Sequence, residues 1–402
     1  MLTRPALARV LQSLLTAELA SASGRSRPIL PPALMQPWPD GLLLDDSEDA
    51  DAALGCDSLD KLRLAAAVNE MFHLHEAAQE DGLLADRTFG AWLDQIEAIW
   101  QHGACNLTFV TSGSTGQPKR CRHAFRQIEA EIAFLARRWR DRRRIIAMVP
   151  AHHIYGFLFT ALLPDVIGVP CIDALNMGPG ALSQTLRSGD LIVTFPERWH
   201  WLDRSLESWP ADVAGVVSTA PCPTELIQSL IKVGLSGMTE VYGSTETGGI
   251  ATREWPEETY RLMPQWRFAS PFIDEAPALD HRLGHSVQLM DSIQRTDETR
   301  FVLAGRRDGM VQVGGVNVAP DLVAAKLRAQ IHVADAAVRL MRPEEGSRLK
   351  AYIVLEAGAD ADAVADQLQT WMRSSLNAAE RATDLTFGAS LPRSVMGKAL
   401  DW

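Results

Sequence analysis

Apolar residues recur at two different spacings along this chain of 402 residues, and the spacings predict its elements. Near the N-terminus, four leucines between Leu11 and Leu19 fall at i, i+3, i+4 and i+8, which is one face of an amphipathic helix. The same helical spacing occurs from His123 to Arg138 and from Pro223 to Val233. We therefore expect helices that pack one apolar face against a core.

Short apolar and β-branched runs alternate with these helical patterns and predict strands. The runs are Leu107–Thr111, Ile145–Val149, Leu191–Phe195, Val213–Ser218 and Thr239–Tyr242. Strands that alternate with crossover helices form βαβ units. The expected architecture is a parallel sheet with helices on its faces.

Past Phe301 the pattern changes to shorter strands. A glycine turn at Gly314–Gly315 is followed by a predicted helix from Pro320 to Gln330 and a strand at Ala351–Leu355. We place a domain boundary near Arg307–Gly309. The predicted fold is α/β, with a large N-terminal domain (1–307) of parallel or mixed sheets flanked by helices and a small, mobile α+β domain (308–402).

Composition narrows the class of protein. With 47% apolar and 22% charged residues the chain is globular, which excludes disordered and fibrous classes. Its formal charge of -11 argues against general binding to nucleic acid or anionic lipid and favours a small-molecule substrate. Its five cysteines show no CxxC spacing, so reduced thiols in a cytoplasm are expected. Prolines and histidines interrupt the apolar stretch from Ile145 to Leu175, so we expect no membrane span.

A loop of small polar residues follows the first predicted strand and precedes the helix predicted from His123. It consists of Thr111, Ser112, Gly113, Ser114, Thr115, Gly116, Gln117, Pro118 and Lys119. Its glycines let the backbone approach a ligand, its hydroxyls and amides donate to phosphate oxygens, and Lys119 adds positive charge. It is not a Walker A loop, because Pro118 precedes the lysine. Phosphate binding is favoured over the alternative, a flexible surface loop.

A second polar segment follows the strand predicted at Thr239–Tyr242. It consists of Tyr242, Gly243, Ser244, Thr245, Glu246, Thr247, Gly248 and Gly249. A carboxylate among small residues suits Mg2+, which takes one or two carboxylates together with phosphate oxygens and water. The alternative is a helix N-terminus capped by Ser244 or Thr245, with Glu246 favoured by the helix dipole.

In order and spacing, these motifs resemble the signatures of the adenylate-forming superfamily, which includes acyl- and aryl-CoA synthetases, nonribosomal adenylation domains and luciferases. Residues 111–119 resemble its TSGTTGxPKG loop, with Arg120 where glycine is usual. Residues 150–156 are similar to its PxxHxxG motif, and residues 242–246 match its YGxTE motif. The agreement covers the chain from Leu107 to the end, and the segments around these motifs are short for this family.

The resemblance assigns roles to further residues. Asp291, fifteen positions before Arg306, would bind ribose, although the usual Thr-Gly-Asp motif here reads Leu-Met-Asp. Asp308 would be the hinge before the small domain, and Lys398 the catalytic lysine. The segment Ser218, Thr219 and Ala220 would lie against adenine.

The implied activity is that of an ATP-dependent, AMP-forming ligase. It would use Mg2+ on Glu246 to make an acyl-adenylate from a small carboxylic acid, with Lys398 and His153 as further catalytic residues. After rotation at Asp308, the acyl group would pass to a thiol, either CoA or the phosphopantetheine of an acyl carrier protein. The rival interpretation is a non-catalytic nucleotide-binding protein of the same fold.

The acid is expected to be an aryl or acyl acid. Amino-acid adenylation, a further alternative, usually needs an acidic residue in the region 150–157, which has none. His153, Tyr155, Phe157 and Gly243 could line a compact pocket for an aromatic acid, unless the aromatic residues belong to the core. Six arginines between Arg137 and Arg144 could dock an acidic carrier protein or form a solvated helix end.

Overall fold

The structure is a computed structural model. It describes residues 2–22, 37–45, 53–77, 82–101, 106–111, 119–273, 276–307, 309–342, 344–391 and 402, with Thr111 and Arg306 described by their backbone alone.

The helices are α1 (Arg4–Ala22), α2 (Ser58–Phe72), α3 (Gly82–Ala85), α4 (Phe89–Gln101), α5 (Phe125–Arg138), α6 (Ile154–Gly156), α7 (Leu163–Ile167), α8 (Pro179–Thr185), α9 (Pro196–Ser205), α10 (Thr224–Lys232), α11 (Pro320–Arg328) and α12 (Ala361–Ser375), with a 3-10 helix at Leu74–Ala77 and a π-helical segment at Phe157–Leu162. The strands are β1 (Leu43–Asp45), β2 (Ala53–Cys56), β3 (Asn106–Thr111), β4 (Lys119–Ala124), β5 (Arg144–Ala147), β6 (Cys171–Asp173), β7 (Asp190–Thr194), β8 (Ala214–Val217), β9 (Gly237–Ser244), β10 (Gly248–Glu254), β11 (Tyr260–Leu262), β12 (Trp266–Phe268), β13 (Ala278–His281), β14 (His285–Gln288), β15 (Asp291–Arg295), β16 (Arg300–Arg306), β17 (Val311–Val313), β18 (Val316–Val318), β19 (Val333–Leu340), β20 (Leu349–Leu355) and β21 (Ala382–Gly388).

Among the described residues, the largest sheet has nine strands in the order β15-β16-β11-β10-β9-β8-β7-β5-β6. Strands β6, β5, β7, β8 and β9 are parallel neighbours, whereas β9, β10, β11, β16 and β15 pair antiparallel. The predicted α/β class with a parallel or mixed sheet is therefore confirmed. Because the parallel strands all end at one edge, the segments after β8 and β9 lie side by side there.

Two hydrophobic clusters cover the two faces of this sheet. One joins α1, α2, α4 and α5 to residues such as Val193 and Val216, and the other packs α9 and α10 against residues such as Ile192 and Val217. Successive residues of β7 and β8 thus pack into opposite clusters, because successive side chains of a strand point to opposite faces of the sheet. The predicted N-terminal helix is confirmed, with Leu11 and Leu15 fully buried.

The first predicted strand does not join the parallel sheet. Strand β3 instead pairs antiparallel with β4, from Thr111 opposite Lys119 to Asn106 opposite Ala124. The expected βαβ unit at this point is wrong, because residues 119–124 alternate in exposure and form a strand that buries Cys121 and His123. The phosphate loop therefore connects two strands of a hairpin and does not begin a helix.

The C-terminal residues have a core of their own. A third cluster draws only on residues 311–387, and it packs α11 and α12 against the sheet β19-β20-β21. The division at 307/308 stays a prediction. Among the described residues, none of the helices combines the length and the hydropathy that a membrane span needs. Cys121, Cys171 and Cys222 carry free thiols.

Two glycines in neighbouring strands offer a test of core packing. A Cβ added at Gly215 would lie 2.6 Å from the Trp199 ring and 2.9 Å from Met238 Sδ, whereas one added at Gly237 meets nothing within 4 Å. We expect Gly215→Ala to lower the free energy of unfolding by about 1–3 kcal/mol through overpacking, and Gly237→Ala to change it little. Urea denaturation of both variants checks this, and equal effects at the two positions would contradict it.

Candidate active site

The second sequence motif forms a hairpin turn between β9 and β10. Residues 245–247 make the turn, and Ser244 lies opposite Gly248. Thr247 Oγ1 accepts a hydrogen bond of 3.0 Å from the Ser244 amide, which braces the turn. A side chain at Gly243 would clash, since its Cβ would lie 2.2 Å from the Gly248 carbonyl oxygen. The alternative interpretation of this motif as a capped helix N-terminus is thus wrong.

Lys119 and Glu246 form an ion pair across the two sequence motifs. The Lys119 ammonium donates a 2.6 Å hydrogen bond to Glu246 Oε1, and the two side chains are 58% and 43% exposed. Partial burial would raise the pKa of Glu246, but hydrogen bonds from Lys119, Ser244 and its own amide lower it overall. The same hydrogen bond raises the pKa of Lys119. The Glu246 carboxylate is therefore ionised, exposed and already in contact with a cation.

His123 attaches the strand that follows the phosphate loop to the same turn. Its Nε2 donates to the Thr245 carbonyl oxygen at 2.6 Å, so the ring proton is on Nε2. Burial lowers the pKa of His123, so the imidazole is neutral near pH 7. Because β4 begins at Lys119, this bond and the ion pair together hold the β3–β4 hairpin against the β9–β10 turn.

The predicted ribose ligand and the YGxTE tyrosine are in direct contact. The Tyr242 hydroxyl donates to Asp291 Oδ2 at 2.7 Å. Asp291 begins β15 and pairs with Arg306 of β16, so the fifteen-residue interval in the sequence corresponds to a strand pair. The structure thus brings these three predicted residues together beside the end of β9.

The predicted adenine segment follows β8 at the same edge of the sheet. Ser218 Oγ donates to the Val241 carbonyl oxygen at 2.8 Å, which ties the segment to β9. Thr219 is exposed and has a left-handed backbone with φ of 78°, and the half-buried Ala220 follows it. A Cβ at Gly315, in the turn between β17 and β18, would lie 3.3 Å from Thr219 Oγ1, so the C-terminal hairpin faces this segment.

The PxxHxxG segment contributes two adjacent imidazoles. Solvent reaches the His153 ring, but protein surrounds it on most sides and this desolvation lowers its pKa. Burial, with a smaller effect of His153, lowers the pKa of His152 to about 3, and His152 Nδ1 lies 2.8 Å from Ser13 Oγ. His153 is therefore the more exposed member of the pair.

The predicted aromatic pocket residues differ in their positions. The Tyr155 hydroxyl lies 3.1 Å from the carbonyl oxygens of Thr194 and Val216 and donates to them at the ends of β7 and β8. Phe157 is fully buried and packs edge to face on Phe109, with ring centroids 5.3 Å apart. Its assignment to an open pocket is corrected, since this ring belongs to the core.

Sequence reasoning missed Glu131, a carboxylate buried on the core face of α5. Both of its oxygens accept the Gly249 amide at 3.0 Å, and the described residues offer it no ion pair. Burial raises its pKa to about 7, although the Gly249 bond lowers it. A Cβ at Gly248 or Gly249 would lie 2.6 or 2.3 Å from this carboxylate, so the two glycines make room for it. A signal was present in the sequence, because Glu131 lies three residues after Ile128 on the predicted apolar face.

A cavity of about 120 Å³ lies between Glu131 and the β9–β10 turn. Its walls consist of Arg122, His123, Gln127, Ile128, Glu131, Ile154, Glu246, Thr247, Gly248, Gln265, Trp266, His281 and His285. Burial, with a smaller effect of His285, lowers the pKa of His281 to about 4, and burial also lowers that of His285. The cavity therefore contacts neutral imidazoles and one buried carboxylate.

Several predicted site residues lie outside the described part of the chain. They are Ser112, Gly113, Ser114, Thr115 and Gly116 of the phosphate loop, the hinge residue Asp308 and the catalytic lysine Lys398. Their roles stay predictions.

Three of the six arginines in the basic stretch on and after α5 bind acidic side chains of the protein. Arg144 binds the fully buried Asp190 at 2.7 Å, Arg142 binds Asp212 at 3.0 Å, and Arg138 donates to Glu254 at 2.7 Å. These contacts favour a structural role for the stretch. A carrier-protein surface there stays a prediction.

The raised pKa of Glu131 predicts a specific pH dependence of stability. Its folded pKa of about 7 exceeds the ordinary 4.5, so the folded state holds a proton that the unfolded state has lost between these values. The free energy of unfolding should therefore fall as pH rises through this window, by about 3 kcal/mol relative to Glu131→Gln. Urea denaturation of both proteins from pH 5 to pH 8 checks this. A difference between them that is constant with pH would contradict it.

Comparisons with known proteins agree with this arrangement. A sequence profile of the family described as AMP-binding enzyme matches residues 41–267. The chain is 39% identical to a 4-coumarate–CoA ligase of Halorhodospira halophila over 97% of each chain. It is 36% identical to one of Cereibacter sphaeroides over 91% of this chain and 87% of that one.

A solved structure shares the fold. It is an o-succinylbenzoate CoA synthetase of Bacillus subtilis bound with a product analogue, with a TM-score of 0.59 and 16% identity, covering 76% of this chain and 72% of that chain. The prediction of an AMP-forming ligase is confirmed by the sequence relatives, both of which are named CoA ligases. The chain therefore belongs to the AMP-binding enzyme family, the adenylate-forming superfamily that its motifs predict.

Proposed function

We propose that this enzyme activates a 4-hydroxycinnamate-type aryl acid with ATP and transfers the acyl group to CoA. The carboxylate would attack the α-phosphorus of ATP, giving an acyl-adenylate and pyrophosphate, and a thiol would then displace AMP. Both sequence relatives are named 4-coumarate–CoA ligases, which supports a hydroxycinnamate as the acid and CoA as the acceptor.

One observation carries the proposal. The lysine that ends the phosphate loop, the glutamate of the hairpin turn and the Tyr242–Asp291 pair all lie around the end of β9. The β3–β4 hairpin would present the loop to the β- and γ-phosphates, and Asp291 would accept hydrogen bonds from ribose hydroxyls. The segment 218–220 would lie against adenine.

The residues of the turn fit Mg2+. Glu246 is ionised, exposed and beside the hydroxyls of Ser244 and Thr247, and Mg2+ prefers such oxygen ligands together with those of phosphate. When bound, the ion would neutralise phosphate charge. The Lys119 ammonium would exchange Glu246 for phosphate oxygens, because both groups compete for the same positive charge.

Catalysis would depend mainly on pre-placed charge. Negative charge grows on the phosphoryl oxygens during adenylation, and cations in a water-poor cleft stabilise it more than they would in solution. Lys398 and Lys119 would supply that positive charge. The imidazole of His153 would lie beside the path of the acid's carboxylate and, being neutral, would form no ion pair with it.

The second half-reaction would follow a rotation at Asp308. The turn at Gly314–Gly315 already lies against Thr219, which supports an arrangement in which the small domain closes over the adenine side. Rotation would withdraw Lys398 and open a path for the thiol.

We expect a panel of acids to identify the substrate. With ATP, Mg2+ and CoA, 4-coumarate should give the highest kcat/KM for pyrophosphate release, ahead of cinnamate, hexanoate and phenylalanine, and should form a CoA thioester. Coupled pyrophosphate detection and mass spectrometry of the thioester check this. Preference for the amino acid would indicate an amino-acid adenylation enzyme, and no release with any acid would indicate the non-catalytic nucleotide-binding protein.

Lys398→Ala should separate the two half-reactions. We expect it to lower acid-dependent pyrophosphate release by roughly 10²- to 10³-fold, because it removes one charge-stabilising group. Thioester formation from preformed acyl-adenylate should be little changed. Lys232→Ala, which alters an exposed lysine at the end of α10, is the matched control. Equal losses in both half-reactions would contradict the assigned role.

A further inference from the structure

We infer that the cavity beneath the β9–β10 turn binds the ring hydroxyl of the acid, and that Glu131 and Gln265 are the hydrogen-bond acceptors for it. The inference deepens the proposed function and rests on it. It assigns selection for a phenolic acid to two residues that no sequence motif contains.

The position of the cavity fits an acid that reacts at the turn. Glu246 and Thr247 form part of its wall, as does Ile154 of the PxxHxxG segment. An acid with its carboxylate near the turn would extend its ring toward Glu131 and Gln265. The volume of about 120 Å³ is close to that of a cavity of about 150 Å³ that binds benzene, so one aromatic ring fits.

Two hydrogen-bond acceptors in the deep wall of the cavity have capacity left for a donor. Gln265 is 5% exposed, and its Oε1 has no partner among the described residues. Its amide nitrogen lies 3.5 Å from both the Gly249 carbonyl oxygen and Met263 Sδ. Glu131 accepts one amide hydrogen with its two oxygens and has lone pairs to spare. A ligand hydroxyl would supply the donor that both residues lack.

The charges of the cavity favour a hydroxyl over a second carboxylate. His281 Nδ1 accepts from the Leu283 amide, and His285 Nδ1 accepts from Gln127 at 3.1 Å, so each neutral ring has its proton on Nε2. Arg122, at the edge, donates to Glu76 at 2.6 Å and is more than half exposed. A carboxylate buried here would therefore lose its hydration without an unpaired cation among the described wall residues to offset that loss.

A metal ion is a poorer occupant than an organic ring. Among the described residues, the group whose ligand atoms lie within 4.8 Å of one another is His73, His75 and Glu76, which is not part of this cavity. Trp266 packs against His281 and His285, with ring centroids 4.7 and 5.6 Å away. These rings present flat apolar and polarisable surfaces to an aromatic guest.

Packing alone does not account for Glu131. Its neighbours on the buried face of α5 are Ile128, Ile132 and Leu135. An apolar side chain there would avoid the desolvation of a carboxylate that one backbone amide compensates only in part. A hydrogen bond from the acid substrate to the Glu131 carboxylate would explain why a carboxylate is present at this buried position.

The test compares 4-coumarate with cinnamate, which lacks the hydroxyl. In the intact enzyme, kcat/KM for pyrophosphate release and the Kd measured by calorimetry should both favour 4-coumarate, by roughly 10- to 100-fold, because cinnamate would leave the buried acceptors without a donor. Glu131→Gln and Gln265→Met should each reduce that ratio, because 4-coumarate loses more than cinnamate. Glu129→Gln, an exposed carboxylate on the same helix, is the control and should keep the ratio.

The outcomes separate the inference from the proposed function. If 4-coumarate is activated but neither variant changes the ratio, the function stands and the hydroxyl site is overturned. If no acid is activated, the proposed function fails, and the calorimetric ratio still decides the site, since binding needs no turnover. Equal Kd values for the two acids in the unaltered enzyme would overturn the site outright. Gln265→Met serves as the deciding variant if Glu131→Gln does not fold.

Discussion

The hairpin between β9 and β10 holds the candidate site together, because its turn is bonded from several directions. Lys119 binds Glu246, His123 donates to the Thr245 carbonyl oxygen, and Glu131 accepts the Gly249 amide. On the far side, the indole of Trp266 donates to the Gly249 carbonyl oxygen at 2.9 Å. A short turn with these bonds has little freedom, so the carboxylate at its tip keeps a fixed position relative to the sheet edge. Such pre-organisation is what charge stabilisation of a phosphoryl-transfer reaction requires.

The same hairpin separates two electrostatic environments. On its outer side, Lys119 and Glu246 are ionised and solvent-exposed, where a polyphosphate and a cation can exchange partners with them. On its inner side, burial keeps the imidazoles of His123, His281 and His285 neutral. Ionised side chains therefore lie at the mouth of the cavity, and neutral imidazoles line its inner side. An unpaired acceptor such as Gln265 Oε1 costs free energy when empty, and a matching donor recovers it.

Local sequence patterns gave wrong predictions where contacts between distant segments determine the structure. The phosphate loop was expected to precede a helix, because the apolar spacing extends back to His123. The structure begins that helix at Phe125, since Lys119 to Ala124 pairs with β3 instead. Phe157 was expected to line a pocket, yet it packs on Phe109, because an aromatic ring on a buried helix is as well suited to a core as to a cavity. Neither outcome can be deduced from spacing alone.

The sequence by itself determined four of the parallel strands (β5, β7, β8 and β9), the order of the motifs and the family, because strand period, turn chemistry and spacing are local properties. The fifteen-residue interval between Asp291 and Arg306, noted in the sequence, corresponds to a pair across two strands in the structure. Only the tertiary structure decided which residues face the cavity. Glu131 and Gln265 are 134 residues apart and belong to no motif; they line the same cavity because α5 and the segment before β12 pack on the same hairpin. Long-range packing sets burial, and burial sets which side chains are neutral, ionised or unpaired.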